Sequence, residues 1–183
     1  MMRPALIAAA LALAVAPSLA CDIAVPPELK WSPKKVPGWV VYTFQPAAMA
    51  DGALLYRKVK HVGLPSGAAE QKLLNEHVNR AFSAMYGGKA GKVKVLSSKA
   101  ENLTFRTGSA AIKHYAVEIT QPGDPTPKFA GVVIRENKAP GDVAVIVTPQ
   151  DPDAPGDDVE RMIGFAKKFA AHPGFECRAG DMP

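Results

Sequence analysis

The run Trp39-Val40-Val41-Tyr42-Thr43-Phe44 is almost wholly β-branched and aromatic, and it predicts a strand over 39–44. A turn over 46–52 separates it from a second strand over 54–62. The period then changes. Leu74, Val78, Ala81 and Met85 recur at helical spacing with Phe82 beside them, so one stripe of a helix is buried. Pro65-Ser66-Gly67 introduces that helix with Ser66 as N-cap, and Gly87-Gly88 ends it. Strands follow over 93–97, 103–105, 111–120, 129–134 and 143–147. Within 111–120, Tyr115, Val117 and Ile119 share one face, and His114 and Glu118 share the other. The strands at 129–134 and 143–147 are apolar in both parities, which predicts central places in a sheet covered on two sides. After the loop at 151–156, Asp157 opens a second helix with Glu160 three residues on, in the manner of a capping box. Its stripe is Val159, Met162, Ile163, Ala166 and Phe169, and Pro173-Gly174 stops it.

The order is two strands, a helix, four or five strands and a helix. Runs of strands set apart from helices imply an α+β fold: an antiparallel sheet flanked by two amphipathic helices. The 183 residues suit one such domain, over 38–183. Before it, 21–37 holds four prolines and reads as an extended arm outside any element.

Residues 1–20 stand apart. Arg3 is followed by an unbroken apolar stretch from Leu6 to Ala16, then Pro17, then Ser18-Leu19-Ala20 with small residues at the −3 and −1 positions. This is the form of a secretory signal peptide, so the expectation is a periplasmic or secreted protein cleaved after Ala20. The formal charge of +5 is thinly spread, with its densest run at Lys89, Lys92, Lys94 and Lys99. No aromatic and basic residues interleave, so no nucleic acid is expected as a partner. The two cysteines bear on the address. Cys21 is the first residue after the expected cut, and Cys177 lies close to the other end. In an oxidising compartment they pair as a disulfide, which accounts for both. Alternatively Cys21 is the lipid-modified first residue of a bacterial lipoprotein, and the chain then meets a membrane through that anchor alone. Ala20 suits that signal, and Ser18 departs from the leucine it prefers.

Catalytic and metal signatures are not evident. The four histidines, His61, His77, His114 and His172, include no pair at ligand spacing, so no metal site or cofactor is expected. His77 and His114 read as surface residues. Asp151, Asp153 and Gly156 imitate the start of a calcium loop, but Pro155 and Met162 stand where ligands are required. The Gly87–Lys92 stretch follows a helix rather than a strand and carries no Ser or Thr after its lysines, unlike a phosphate loop. No catalytic residue can be assigned, and an enzyme is not the expectation.

The element order, with its doubly apolar strands at 129–134 and 143–147, resembles the PsbP-like fold of small exported proteins over 38–171. That resemblance rests on no signature motif. It implies an antiparallel sheet between helices and a binding or assembly role rather than catalysis. The leading expectation is therefore a non-enzymatic accessory or assembly protein of the cell envelope, with a protein partner. Trp31, Trp39 and Tyr42, clustered at the proline-rich arm, are its candidate contact residues. The order is also similar to the helix-grip fold of START-type lipid carriers, which would need a cavity for a small apolar ligand between the sheet and the second helix. A hydrolase whose site assembles only in space is the third class.

Overall fold

The computed structural model describes residues 26–32, 34–44, 52–105, 108–137, 141–149 and 158–171. Cys21, Cys177, the signal-like 1–20 and the calcium-like loop lie outside them, apart from Met162.

Seven strands form one antiparallel sheet: β1 (Leu29–Trp31), β2 (Val40–Phe44), β3 (Ala53–Lys60), β4 (Lys92–Phe105), β5 (Gly108–Gln121), β6 (Asp124–Glu136) and β7 (Asp142–Pro149). Their spatial order is β1-β2-β3-β7-β6-β5-β4. Helix α1 (Gly67–Tyr86) packs on one face and α2 (Asp158–Ala170) on the other. The fold is the expected α+β sheet between two helices.

The doubly apolar strands occupy the middle. β7 is the fourth of seven, with β6 beside it, and Val132 to Ile134 and Val143 to Val147 are all buried. Alternate residues feed two cores. Leu55, Val117, Val132, Val145 and Val147 meet Leu74, Val78 and Phe82 of α1. Leu54, Tyr56, Ile112, Val133 and Ile146 meet Met162, Phe165, Ala166 and Phe169 of α2. The α2 side is filled by rings: Phe44 and Phe165 have centroids 5.2 Å apart, and Tyr42 and Phe169 5.1 Å. Aromatic side chains thus occupy the space that a helix-grip cavity would need. α2 also lies close on Gly131, where an added Cβ would stand 2.7 Å from Thr148 Oγ1 and 2.9 Å from Ile163.

Two expectations change. The proline-rich arm is not wholly outside the fold. Leu29 to Trp31 pairs with β2, with Leu29 opposite Phe44 and Trp31 opposite Tyr42, so the arm supplies an edge strand. The strands expected over 93–97 and 103–105 are one strand, β4, bulged between Val95 and Ser97. Its polar middle, Ser97 to Asn102, reads as a break in sequence. It sits at the sheet edge, paired along nearly all of β5, where polar residues face solvent at little cost.

α1 begins after Ser66, which has extended backbone but makes no side-chain capping bond. Gly87 ends the helix at φ 74°, its N–H donating to the Ser83 carbonyl at 3.1 Å. That backbone angle favours glycine.

Candidate functional site

Of the three aromatics singled out in sequence, one is on the surface. Trp31 is 54% exposed on edge strand β1. Trp39 and Tyr42 are buried, which withdraws them as freely exposed contacts. They stand three residues apart on an extended chain, so their side chains leave on opposite faces. Tyr42 packs under α2 and Trp39 beneath α1. Trp31, directly opposite Tyr42, rises on the α2 side.

Trp39 nonetheless lines a surface groove. Its N–H donates to the Val36 carbonyl at 2.9 Å, folding 36–39 into a tight turn against α1. This turn and the outer side of α1 bound an open groove of about 570 Å³, lined by Val36, Pro37, Trp39, Asn79, Arg80 and Ser83 among others. Beneath it, Arg57 of β3 places its guanidinium carbon 5.3 Å from the Trp39 ring centroid. His77 of α1 meets the same ring edge-on, with centroids 6.4 Å apart. Glu76 is paired with Arg80 at 3.1 Å, one helical turn on.

His77 corrects the sequence reading. It is 3% exposed and belongs to the core side of α1, not the surface. Burial lowers its pKa to about 4, helped by the Arg57 charge, so the ring is neutral at pH 7. The signal was present: position 77 lies four residues after Leu73 and four before Ala81, on the buried stripe. His77 also borders a second hollow of about 300 Å³ with Val59, Lys60, His61, Lys72 and Leu73. Among the described residues, no group of three or more His, Cys, Asp or Glu is placed to hold a metal ion.

His114 also departs from its expected surface place. It is partly buried, and its Nε2 lies 3.4 Å from Glu101. Burial lowers its pKa, opposed by the Glu101 charge. Glu101 is shared with Lys167 of α2 and with Lys99 at 3.8 Å. The Lys167 hydrogen bond holds the Glu101 carboxyl below the usual range.

Among the described residues, several ion pairs join elements of the fold. Glu101–Lys167 ties β4 to α2, and Lys113–Glu70, at 2.8 Å, ties β5 to α1. Lys60–Asp142, at 2.8 Å, ties β3 to β7. Arg57 is different. Among the described residues its partner is the Trp39 ring, and its Nε is enclosed without a hydrogen-bond acceptor. Burial, and then the Arg80 charge, lower its pKa. Sequence reasoning missed Arg57 because its meeting with Trp39 depends on how β2 and β3 pair.

The fold and this groove define an α+β protein with a concave surface beside one helix. No protein-family model and no curated protein sequence matches the chain. Among solved structures it is similar to the Ran-binding protein Mog1p of Saccharomyces cerevisiae. That likeness has a TM-score of 0.47 and 11% identity, and covers 87% of this chain and 91% of that chain. Among the described residues no helix is long and apolar enough to cross a membrane.

Proposed function

We propose that this chain is an exported, non-enzymatic binding protein of the cell envelope that engages a protein partner through the groove over α1. The observation that carries the reading is the groove itself. It mixes apolar walls, Val36, Pro37 and Trp39, with the polar side chains of Asn79, Arg80 and Ser83. Such mixed surfaces, apolar within and polar at the rim, are typical of protein interfaces. Its walls are a helix and a bonded turn, so little ordering cost attends binding. The signal-like 1–20 and the PsbP-like element order support the exported, assembly-type role. The rings packed under α2 favour a surface role over that of a lipid carrier.

The test is chemical cross-linking in the envelope fraction of the producing cells. Ser83 is exposed on α1 and lines the groove, so Ser83→Trp fills the groove without disturbing the core. The expected result is a cross-linked partner for the wild type that is lost in Ser83→Trp. Equal capture by both retires the groove as the binding surface.

A further inference from the structure

Several cations near α1 are paired. Lys60, Arg80 and Lys113 each lie within ion-pair distance of a carboxylate. Arg57 is half-buried and rests on Trp39, with no carboxylate taking it among the described residues. A guanidinium partly removed from water and left with a ring as partner is costly to keep. The indole face compensates in part and holds the guanidinium against it. That arrangement leaves the fork of terminal nitrogens uncommitted, and such a fork matches a carboxylate bidentately. Arg57 stands at the margin of the groove rather than in its lining, within electrostatic reach of Glu76 and Arg80, which do line it. The neighbouring residue is Gly38, at φ 76°, and even a Cβ built there would stand 3.8 Å from Arg57 Nη2.

The surrounding charge has the same sign. Lys34 and Lys35 are exposed on the stretch leading into the turn, and Arg80 lies across the groove on α1. The one acid in the groove wall, Glu76, is taken by Arg80. We infer that Arg57, braced on Trp39, is the anchor of an acidic docking site: the groove over α1 takes a carboxylate-bearing segment of a partner protein, whose carboxylate is gripped by the Arg57 fork. This rests on the reading of the groove as a protein-binding surface and names the partner's chemistry. The groove is concave and walled by Val36, Pro37 and Trp39, which suits an inserted peptide segment. An anionic membrane surface would call for a protruding basic patch.

The test is an NMR titration of the full chain with a hexaglutamate peptide, following the Arg57 Nε–H and Trp39 Nε1–H signals. The same titration is run with phosphatidylglycerol vesicles. Arg57→Met keeps the apolar stem against Trp39 and removes the charge. The peptide is expected to shift both signals saturably, and Arg57→Met to weaken its binding by roughly tenfold or more, the size of a lost charged hydrogen bond. Thermal stability of Arg57→Met is expected to hold, because Glu76, the acid within reach of Arg57, keeps its pair with Arg80. Unmoved signals, or equal affinity in the variant, overturn the inference. A response to vesicles without one to the peptide also overturns it, in favour of lipid headgroups. Envelope capture separates this inference from the reading beneath it. Capture lost in Ser83→Trp but kept in Arg57→Met overturns the acidic anchor alone. Capture kept in both overturns the groove as well.

Discussion

Glu101 on β4 and Lys167 on α2 form an ion pair across the face of the sheet, and His114 of β5 closes on the same carboxylate at 3.4 Å. One acid thus holds the second helix to the outer pair of strands. The Glu101 carboxyl is held below its ordinary pKa, first by the Lys167 hydrogen bond. A depressed carboxylate adds stability that is fully present above the unfolded-state value. That contribution disappears as the pH falls through the folded-state value. Glu101→Gln is therefore expected to cost roughly 0.5–1 kcal/mol near pH 7, in the range of partly exposed ion pairs, and little in strong acid. Urea denaturation of both proteins across acid pH checks this; an equal loss at every pH would deny the pair its role. The same substitution removes the charge that supports protonation of His114. The His114 titration, followed by NMR, should move to lower pH in the variant.

Asn79 serves the edge of the sheet in a comparable way. Its Oδ1 accepts from the Gly91 N–H at 2.6 Å, and its Nδ2 donates to the Gly91 carbonyl at 2.9 Å. Gln71 donates to the Val93 carbonyl at 3.1 Å. Side chains of α1 thus occupy backbone groups where edge strand β4 begins. Farther along come the bulge at Val95 and Ser97 and the exposed Lys94 and Lys99, devices that discourage pairing with another strand. Leu96, at the bulge, is 47% exposed. Asn79→Ala is expected to cost about 1–3 kcal/mol, because it leaves the two Gly91 groups without their partner. It should also raise self-association by opening the edge. Sedimentation velocity at rising concentration tests the second effect; a variant that stays as monodisperse as the wild type would show that the bulge and lysines suffice.

The layered architecture was legible in sequence because it depends on one-dimensional pattern. Val143 to Val147 is apolar in both parities, and only a strand covered on two faces satisfies that. The stripes Leu74–Val78–Ala81 and Met162–Ala166–Phe169 recur at helical spacing and are buried as expected. The groove was not legible, because it is made by neighbours across the sheet. Trp39 and Tyr42 look like one aromatic cluster in the chain, yet the pleat sends them to opposite cores. Arg57 reads as one cation among many. Its meeting with Trp39 follows from the pairing of Val40 with Tyr56, which sequence spacing does not announce. Likewise the polar run in β4 looks like a loop until β5 is laid beside it.

His77 offers the sharpest pH test. The ring is buried against Trp39, beside the Arg57 charge, and its Nδ1 is enclosed without a hydrogen-bond partner among the described residues. Its pKa in the folded chain is about 4, against 6.5 for an ordinary histidine. A depressed histidine binds its proton more weakly in the folded than in the unfolded chain. Stability is therefore unaffected above the unfolded value and falls as the pH drops from there to the folded value. Over that interval the single group accounts for about 3 kcal/mol. The carboxylates add their own losses mostly at lower pH, and His114, also depressed, contributes equally to both proteins, so the difference between wild type and variant over pH 6.5 to 4.5 isolates His77. His77→Gln keeps a polar side chain that does not titrate. It is expected to flatten the stability profile in that interval, whatever its cost at neutral pH. Guanidinium unfolding of both proteins at half-unit steps of pH measures the difference directly. Parallel profiles would mean that His77 takes up its proton as readily in the folded chain as in the unfolded one. A charged ring beside Trp39 and Arg57 would then add to the positive field that an acidic partner meets there at acid pH.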